Sequence, residues 1–339
     1  MDSLKIGKSE VGEGKPVFII AEIGINHEGN VKQCAQMIKA AADSGVDAVK
    51  LQTIDADANY VRGSDSYKVF KGSELSIDET KEMFDLARSL GIEIFTTAGD
   101  VNTVKWVDEL DPCAWKISSG LLNHLPLIDK ISKLGKPVLI STGLSDFDEI
   151  EDAVNTLYKN GNYQIGLFQC TSIYPVKYKN IYLSRIVELK RRFNVQIGFS
   201  DHSLGNDASF LSVGVGASMI EKHFTYDKNR KGYDHAISMN KQEMEELVKR
   251  VRTAEIMIGN GNVRFKELQK EKRKTYLRCI VAKQTIMKGE LFTKENVAIK
   301  RPLPNQRGLD PKYYSLIINK QSSHSFIPDE PITDDILEL

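Results

Sequence analysis

Short apolar runs alternate with amphipathic segments along most of this chain. Eight runs are rich in β-branched and aromatic residues, and the segments between them carry apolar residues at the spacing of one helix face. A chain that alternates strands and helices in this way predicts a parallel sheet covered by helices. The predicted strands are 17–24, 47–53, 93–98, 114–119, 137–143, 165–170, 195–201 and 219–225.

The number of strand–helix units favours a closed barrel. Eight units over about 245 residues match an α/β protein with the (β/α)8 TIM-barrel fold. An open doubly wound sheet is the alternative, and it usually carries a glycine-rich phosphate turn after its first strand. Here the first strand runs into GINHEG (24–29) instead. We therefore predict a TIM-barrel catalytic domain at residues 1–261.

The chain changes character after the predicted barrel. Residues 262–278 are charged and have few apolar anchors, so they predict a linker. Short β-rich runs around a Lys288-Gly289 turn follow, and they predict a small C-terminal β-rich domain at residues 279–339. A unit of about 60 residues is near the lower limit of independent stability, so we expect it to pack on another surface.

Net charge, cysteine spacing and the lengths of apolar runs limit the binding partners and the cellular setting that the sequence suggests. The 46 basic and 46 acidic side chains leave a net charge of zero, so neither nucleic acid nor a membrane surface is the expected partner. The four cysteines form no CxxC pair, which argues against a zinc cage or a disulfide framework. No signal segment and no apolar run of the ~20 residues that a membrane helix needs is evident. We expect a reduced, cytoplasmic setting.

Polar residues follow one predicted strand after another. In a barrel of this kind the carboxyl ends of the strands build the active site. One serine or threonine there can simply satisfy backbone groups, but eight polar ends in succession predict a functional cavity. The residues are Glu22; Lys50 and Gln52; Thr96 and Thr97; Lys116, Ser118 and Ser119; Ser141 and Thr142; Gln169, Thr171, Ser172 and Tyr174; Ser200, Asp201 and His202; Glu221, Lys222 and His223.

Two histidines close neighbouring predicted strands. His202 and His223 can therefore reach one metal ion, and two imidazoles with water and an oxygen ligand suit Mn²⁺, Fe²⁺ or Zn²⁺ in an open site. A lone histidine is more often a satisfied core residue. His27 and His235 lie in loops on the same rim and are weaker candidates, and no role is assigned to the two remaining histidines.

Two lysines lie inside predicted strands among apolar neighbours. Lys50 and Lys116 would be costly to bury without anionic partners. Three explanations are open. The lysines form internal salt bridges, or they bind an anionic ligand such as a phosphate or carboxylate, or one of them forms a Schiff base.

Seven short motifs, in order along the barrel, resemble one enzyme family. They are AEIGINHEG (21–29), VKLQT (49–53), WKISSG (115–120), LISTG (139–143), CTSIYP (170–175), GFSDHS (198–203) and IEKHF (220–224). Together they resemble the N-acetylneuraminate (sialic acid) synthase family. The segment MKGELFTKENVAIKRP (287–302) resembles the antifreeze-protein-like (SAF) domain of that family.

The resemblance implies a reaction and an assembly. Phosphoenolpyruvate condenses with an N-acetylated aldose, such as N-acetylmannosamine or a dideoxy relative. A nine-carbon 2-keto sugar acid of the sialic or legionaminic type forms, and phosphate leaves. A divalent metal is implied, with Mn²⁺ expected first and Mg²⁺, Co²⁺ or Fe²⁺ as alternatives. The resemblance also implies a domain-swapped homodimer, in which the tail of one chain covers the barrel of its partner.

The resemblance assigns roles to individual residues. The metal is placed on His202 and His223, and Glu22, Gln52 and Asp234 are placed near the sugar or the attacking water. Arg301 is implied to reach the N-acetyl group of the sugar in the partner's barrel. Phosphoenolpyruvate is placed near Lys50, Thr97, Lys116, Ser119, Ser141, Ser172, Tyr174 and Ser200.

Two positions depart from the family pattern. Leu121 stands where the family usually has a glutamate that assists the sugar, and Thr96-Thr97-Ala98 replaces the usual S-T-P. We expect a changed acceptor sugar, or low activity, with phosphoenolpyruvate binding retained. Two other functions remain open: a Schiff-base (lysine) aldolase acting on a related sugar acid, and a non-catalytic sugar-binding relative.

Overall fold

The computed structural model describes residues 3–259, 264–333 and 335. The chain divides into two compact units, Met1–Gly259 and Asn260–Leu339. The division lies close to the predicted end of the barrel at residue 261. Among the described residues, no helix is long and apolar enough to cross a membrane.

The first unit contains a closed barrel of eight parallel strands, which confirms the predicted fold. A short antiparallel hairpin, β1 (Leu4–Ile6) and β2 (Ser9–Val11), precedes it. Each predicted run contains one barrel strand, and the last strand pairs with the first. The strands are β3 (Phe18–Gly24), β4 (Ala48–Thr53), β5 (Glu93–Ala98), β6 (Trp115–Ile117), β7 (Val138–Ser141), β8 (Ile165–Cys170), β9 (Gln196–Asp201) and β10 (Met219–His223).

Helices surround the barrel. Capping boxes begin three of the longer ones, with Ser76, Asp146 and Asn240 at the cap position. Left-handed residues end two others, at Asn194 and Gly216. The helices are α1 (Val31–Asp43), α2 (Ala56–Asn59), α3 (Asp65–Lys71), α4 (Ile77–Ser89), α5 (Val101–Asp108), α6 (Leu125–Ser132), α7 (Phe147–Lys159), α8 (Ser184–Phe193), α9 (Asp207–Val215) and α10 (Lys241–Ile258).

Alternation along each strand separates an outer and an inner apolar layer. Outward residues such as Ile19 and Ile140 pack under the helices in two large clusters. Inward residues such as Phe18 and Phe168 fill the lower part of the barrel, and Leu4 of the hairpin packs against them. The hairpin was not predicted, because three-residue strands are too short to show a clear period. Apolar side chains therefore fill the lower interior of the barrel, and the polar inward residues lie at its upper end.

The second unit is small and β-rich, as predicted. Its apolar core includes Ile280, Phe292 and Phe326. The predicted linker at 262–278 is partly helical: α11 and α12 lie within it, and its first two residues lie outside the described part of the chain. The elements are α11 (Phe265–Leu268), α12 (Lys270–Tyr276), β11 (Cys279–Ala282), β12 (Val297–Lys300) and α13 (Tyr314–Ile317).

The packed lower barrel should tolerate no added methyl group at Gly198. A Cβ atom there would stand 2.6 Å from the Phe168 ring and 2.9 Å from Cβ of Met219. We expect Gly198→Ala to lower the free energy of unfolding by about 1–3 kcal/mol, measured by urea denaturation. Gly214→Ala, in exposed helix α9 with no atom within 4 Å of the new Cβ, is the matched control. It should raise stability by about 0.5–1 kcal/mol, and equal losses in both variants would contradict this account.

Candidate active site

Polar side chains from all eight barrel strands point into the upper end of the barrel. Alternation places these residues on the same face as the inward apolar residues beneath them. Glu22, for example, follows inward-facing Phe18 and Ile20, and Glu221 follows inward-facing Met219. The inward set is buried and consists of Glu22, Lys50, Thr97, Lys116, Ser141, Cys170, Ser200 and Glu221.

Two lysines and two glutamates form a charge network at the centre of this cavity. Lys50 Nζ lies 2.6 Å from Glu22 Oε2 and 3.9 Å from Glu221 Oε2. Lys116 Nζ lies 3.3 Å from Glu221 Oε1. Gln52 donates to the other oxygen of Glu22 at 2.8 Å. The structure therefore shows the internal salt bridges that were one of the three explanations for the buried lysines.

The two glutamates differ in their protonation behaviour. Burial raises the pKa of Glu22 to about 7, although Lys50 opposes the shift. Burial also acts to raise the pKa of Glu221, but Lys116 and Lys50 outweigh it and hold the pKa at about 2. The hydroxyl of Ser200 donates to Glu221 at 2.9 Å and stabilises the same ionised form. The two carboxylates are thus shifted in opposite directions: the lysines favour the ionised form of Glu221, and burial favours the protonated form of Glu22.

Hydroxyl groups line the wall beside Lys116. The lysine donates to Ser141 Oγ at 2.7 Å. Ser119 Oγ accepts the N–H of Gly143 at 3.0 Å and lies 3.2 Å from Cys170 Sγ. A Cβ atom on Gly143 would come within 2.6 Å of Ser172 Oγ, so glycine keeps this space open. Hydroxyls and an ammonium group together suit a phosphate or carboxylate ligand.

Thr97 adds an unused hydroxyl to the same cavity. Its strand pairs with β6 so that Thr97 faces Lys116 across the ladder. The Thr97 Oγ1 atom is buried and makes no hydrogen bond within the described part of the chain. A buried hydroxyl without a partner costs free energy, so a ligand that accepts from it would be bound more tightly.

The two predicted metal-binding histidines meet above the charge network. The ring centres of His202 and His223 are 5.5 Å apart, and the Tyr174 ring lies 4.2 Å from that of His202. His202 Nδ1 donates to the carbonyl of Thr171 at 2.9 Å, which leaves the lone pair of Nε2 available. His223 Nδ1 has no hydrogen bond within residues 3–259 and lies 3.6 Å from Asp234 Oδ2.

These residues fit a divalent metal ion bound by two imidazoles. Burial lowers the pKa of His202 to about 4 and that of His223 to about 3, so both rings are neutral and can act as ligands. Burial also raises the pKa of the neighbouring Asp234 carboxyl. No group of three or more His, Cys, Asp or Glu side chains among the described residues could hold a metal by itself. Substrate or solvent would therefore have to complete the coordination.

The two weaker histidine candidates have other partners. His235 lies between Thr225 Oγ1 at 2.8 Å and Glu28 Oε1 at 2.9 Å, so both ring nitrogens are used. His27 Nδ1 accepts the N–H of Gly29 at 3.2 Å. Both rings contact groups of the rim loops, and their weaker candidacy as metal ligands stays a prediction.

Several predicted strand-end residues point away from the cavity. Thr96 Oγ1 lies 2.8 Å from Thr53 Oγ1, and Gln169 donates to the carbonyl of Ile181. Asp201 and Lys222 also face outward, as a pair. Each is one residue from an inward-facing neighbour, so alternation alone explains its orientation.

Leu121 is also turned away from the polar residues. It ends a short 3-10 helix, Ser119–Leu121, and is partly buried. Its side chain packs against the apolar cluster beneath the helices. Arg301 lies in the second unit, where its guanidinium carbon is 5.0 Å from the centre of the Tyr276 ring. Its implied role at a partner's sugar site stays a prediction.

Three contributors to the site had no role assigned from the sequence. Glu221 joins both lysines, and Cys170 lies against Ser119. Asn26 accepts the N–H of Asp234 at 3.1 Å and donates to the carbonyl of Phe224 at 3.0 Å, so it positions Asp234. Glu221 was predicted as a strand-end residue of the cavity, and its role could have been inferred because it lies two residues before His223 on the same strand face. Asn26 gave no such signal, since its partners lie far along the chain.

Comparison with known proteins gives consistent matches. The model of the NeuB family matches residues 37–263, and that of the SAF domain matches residues 278–338. An uncharacterized protein of Methanocaldococcus jannaschii is 40% identical over 338 residues, covering 99% of each chain. The N,N'-diacetyllegionaminic acid synthase of Campylobacter jejuni is 33% identical, over 94% of this chain and 100% of that protein. A crystal structure of N-acetylneuraminic acid (sialic acid) synthetase from Leptospira borgpetersenii, in complex with citrate, has a TM-score of 0.77 at 29% identity, over 81% of this chain and 97% of that one.

Buried His27 should make stability depend on pH. Burial lowers its pKa from 6.5 to about 4, so between these values the unfolded chain binds more protons than the folded one. Its contribution is complete above pH 6.5 and is lost as pH falls toward 4, by at most about 1.4 kcal/mol per pH unit. We expect His27→Asn to flatten this slope in denaturant titrations. Exposed His124, which caps α6, is the control for replacing a histidine by asparagine: His124→Asn keeps the cap and should leave the stability above pH 6.5 nearly unchanged. A wild-type slope in His27→Asn would exclude this cause.

Proposed function

Because the chain belongs to the NeuB family of sugar-acid synthases and carries a SAF domain, we propose that it condenses phosphoenolpyruvate with an N-acetylated aldose. The product is a nine-carbon 2-keto sugar acid of the sialic or legionaminic type, and phosphate is released. The observation that carries the proposal is the convergence of two buried ammonium groups with a wall of hydroxyls, of which that of Thr97 has no partner among the described residues, beneath two neutral imidazoles.

The lower part of the cavity supports binding of the phosphoenolpyruvate anion. Lys50 and Lys116 supply positive charge, and Thr97, Ser119 and Ser141 supply hydroxyl groups. The proposed role of Ser172, Tyr174 and Ser200 is to complete the walls of this site. In a buried cavity such charge-assisted hydrogen bonds are stronger than in water.

The glutamates keep this site neutral before substrate arrives. An unpaired buried lysine would lose its proton or destabilise the fold. Glu22 and Glu221 therefore act as internal counter-anions, which the phosphate and carboxylate of the substrate must displace or share. Glu221 stays ionised and holds both ammonium groups in place.

The two histidines support a divalent metal ion, for which we expect Mn²⁺ first and Mg²⁺, Co²⁺ or Fe²⁺ as alternatives. Such an ion, when bound, polarises the carbonyl oxygen of an open-chain aldose. Neutral imidazoles beside a carboxylate are borderline donors that accept this range of metals. His202 is oriented for this role by the carbonyl of Thr171.

The remaining steps are assigned to side chains of the chain itself. The methylene carbon of phosphoenolpyruvate forms a bond to the aldehyde carbon of the sugar as the C=C π bond breaks, and the C=O π pair moves onto the aldehyde oxygen, which takes up a proton and becomes a hydroxyl. The C2 carbon of phosphoenolpyruvate then takes up water, and the tetrahedral carbon expels phosphate. Lys50 and Lys116 stabilise the anionic groups throughout. Glu22, whose pKa is raised by burial, is assigned to accept a proton from the water, and Gln52 fixes the orientation of its carboxyl.

The acceptor sugar is proposed to lie on the rim, between Asp234 and the histidines. A domain-swapped homodimer would bring Arg301 of a second copy to the N-acetyl group. Relatives of this chain are named N,N'-diacetyllegionaminic acid synthase and N-acetylneuraminate-9-phosphate synthase, and both names fit an N-acetylated acceptor. Leu121, which packs on the apolar cluster, removes the carboxylate that the family places in this region.

One observation favours a second candidate function. Burial lowers the pKa of Lys116, and a lysine that loses its proton can attack a ketone as a Schiff-base aldolase does. Its salt bridge to Glu221 opposes this loss. Borohydride treatment with pyruvate distinguishes the two functions: covalent labelling at Lys116 would indicate the aldolase, and inactivation by a metal chelator would indicate the synthase.

Lys116→Met is the direct test of the proposed anion site. We expect kcat/KM for phosphoenolpyruvate to fall by about 100-fold or more, the equivalent of one lost charge-assisted interaction. Phosphate release and product mass are followed with Mn²⁺ and a panel of N-acetylated aminosugars. Lys133→Met, at an exposed helix position, is the matched control and should retain activity. Equal activity in both variants would refute the assignment.

Leu121→Glu tests the proposed change of acceptor. Restoring a carboxylate should alter the relative kcat/KM values for N-acetylmannosamine and its dideoxy relatives and leave the KM for phosphoenolpyruvate nearly unchanged. Leu121→Met controls for disturbance of the apolar cluster. Identical turnover of N-acetylmannosamine by wild type and Leu121→Glu would count against the idea.

A further inference from the structure

A buried ion pair lies behind the two histidines, on the helix side of the barrel wall. Asp201 Oδ2 is 2.9 Å from Lys222 Nζ, and the exposed fraction of both side chains is 0%. The two residues face each other across β9 and β10. Each stands directly before one histidine in the chain. Because side chains alternate, the pair itself does not reach the cavity.

The carboxylate of Asp201 folds over the backbone of His202. Its Oδ1 atom accepts the N–H of Ser203 at 2.8 Å and the hydroxyl of Ser203 at 2.7 Å. An aspartate that binds the backbone two residues ahead forms an Asx-turn, which restricts the residue between them. That residue is His202, so Asp201 limits the direction in which its imidazole leaves the backbone.

Lys222 holds the same turn from the neighbouring strand. Besides pairing with Asp201, its ammonium group donates to the carbonyl of Ser203 at 2.5 Å. The residues on both sides of His202 are therefore tied to the residue that precedes His223. The two backbone segments that carry the imidazoles are joined by one polar cluster.

Helix α9 closes this cluster from outside. Ser209 Oγ donates to Asp201 Oδ2 at 2.7 Å. Ser209 and Ser212 are both fully buried, although the buried face of a surface helix is normally apolar. A serine occupies position 209 because its hydroxyl donates to the buried carboxylate of Asp201.

The energetics indicate a positional role. Apolar residues of similar size often stabilise a fold as well as a buried ion pair does, so such a pair is weak evidence for stability. We propose that Asp201 and Lys222 are positioning residues that hold His202 and His223 at the separation required by one divalent metal ion. This inference rests on the metal site in the proposed function.

The test uses the full chain with Asp201 and Lys222 replaced together. In Asp201→Asn/Lys222→Met the amide oxygen keeps the Asx-turn and methionine fills the volume of the lysine stem. The link between the strands is lost, and no charge is left unpaired. We expect the dissociation constant for Mn²⁺, measured by electron paramagnetic resonance of the free ion, to rise about 10-fold or more. The visible spectrum of bound Co²⁺, which reports ligand geometry, should also change.

Two further variants show that the measurement reports this site. His202→Ala should abolish specific Mn²⁺ binding. Ser212→Ala is the matched control, because Ser212 is buried in the same helix but donates to the carbonyl of Ser209 and not to the pair. It should leave the Mn²⁺ affinity and the Co²⁺ spectrum unchanged. Circular dichroism and a cooperative thermal transition establish that each variant is folded.

The possible outcomes distinguish failure of this inference from failure of the proposed metal site. If wild type and His202→Ala bind Mn²⁺ equally, the inference falls together with the metal site. If His202→Ala loses the metal while Asp201→Asn/Lys222→Met keeps wild-type affinity and spectrum, the positional role is overturned and the metal site stands. If Asp201→Asn/Lys222→Met does not fold, Ser203→Ala/Ser209→Ala replaces it, because this variant removes two donors to Asp201. It should weaken Mn²⁺ binding several-fold. Unchanged Mn²⁺ binding in this variant also overturns the inference.

Discussion

Alternation of side chains along the strands of a closed barrel is the constraint on which this molecule depends. A residue that faces the cavity has neighbours that face the helices, and the closed ladder fixes this choice for all eight strands at once. The lower inward positions are apolar and fill the barrel, and the upper ones are polar. Within residues 3–259 the converging polar groups therefore lie at the upper end of the barrel, and alternation decides which residues of each strand belong to them.

The second requirement is charge balance in a buried space. Two ammonium groups at the centre of a barrel would be unstable alone, and the structure surrounds them with two carboxylates and several hydroxyls. The surroundings of the two carboxyl groups shift their pKa values in opposite directions. Glu221 touches both lysines and remains ionised, whereas Glu22 has one close lysine and a raised pKa. The lysines can therefore bind an anionic ligand, and the carboxylates stabilise them when no ligand is bound.

The barrel wall formed by β9 and β10 carries functional polar side chains on both its inner and its outer face. On the inner face the histidines stand above Glu221 and Ser200, and on the outer face Asp201 pairs with Lys222. The outer pair contacts the residues that flank the inner histidines. A motif such as Asp201-His202 thus combines a residue that faces the cavity with one that anchors it from behind, and both belong to one stretch of chain.

The sequence by itself determined the barrel, its strands and most of the residues at its upper end, because hydrophobic period and strand-end polarity are local properties. His202, His223, Lys50 and Lys116 were all placed correctly at the mouth of the barrel. The N-terminal hairpin and the helices at 265–276 escaped prediction, since short elements show little periodicity. Only the tertiary structure decided which groups are partners. The pairing of Lys116 with Glu221, separated by 105 residues, arises from barrel closure. The outward pairing of Asp201 with Lys222 arises from the register of β9 against β10, and no local pattern encodes either pairing.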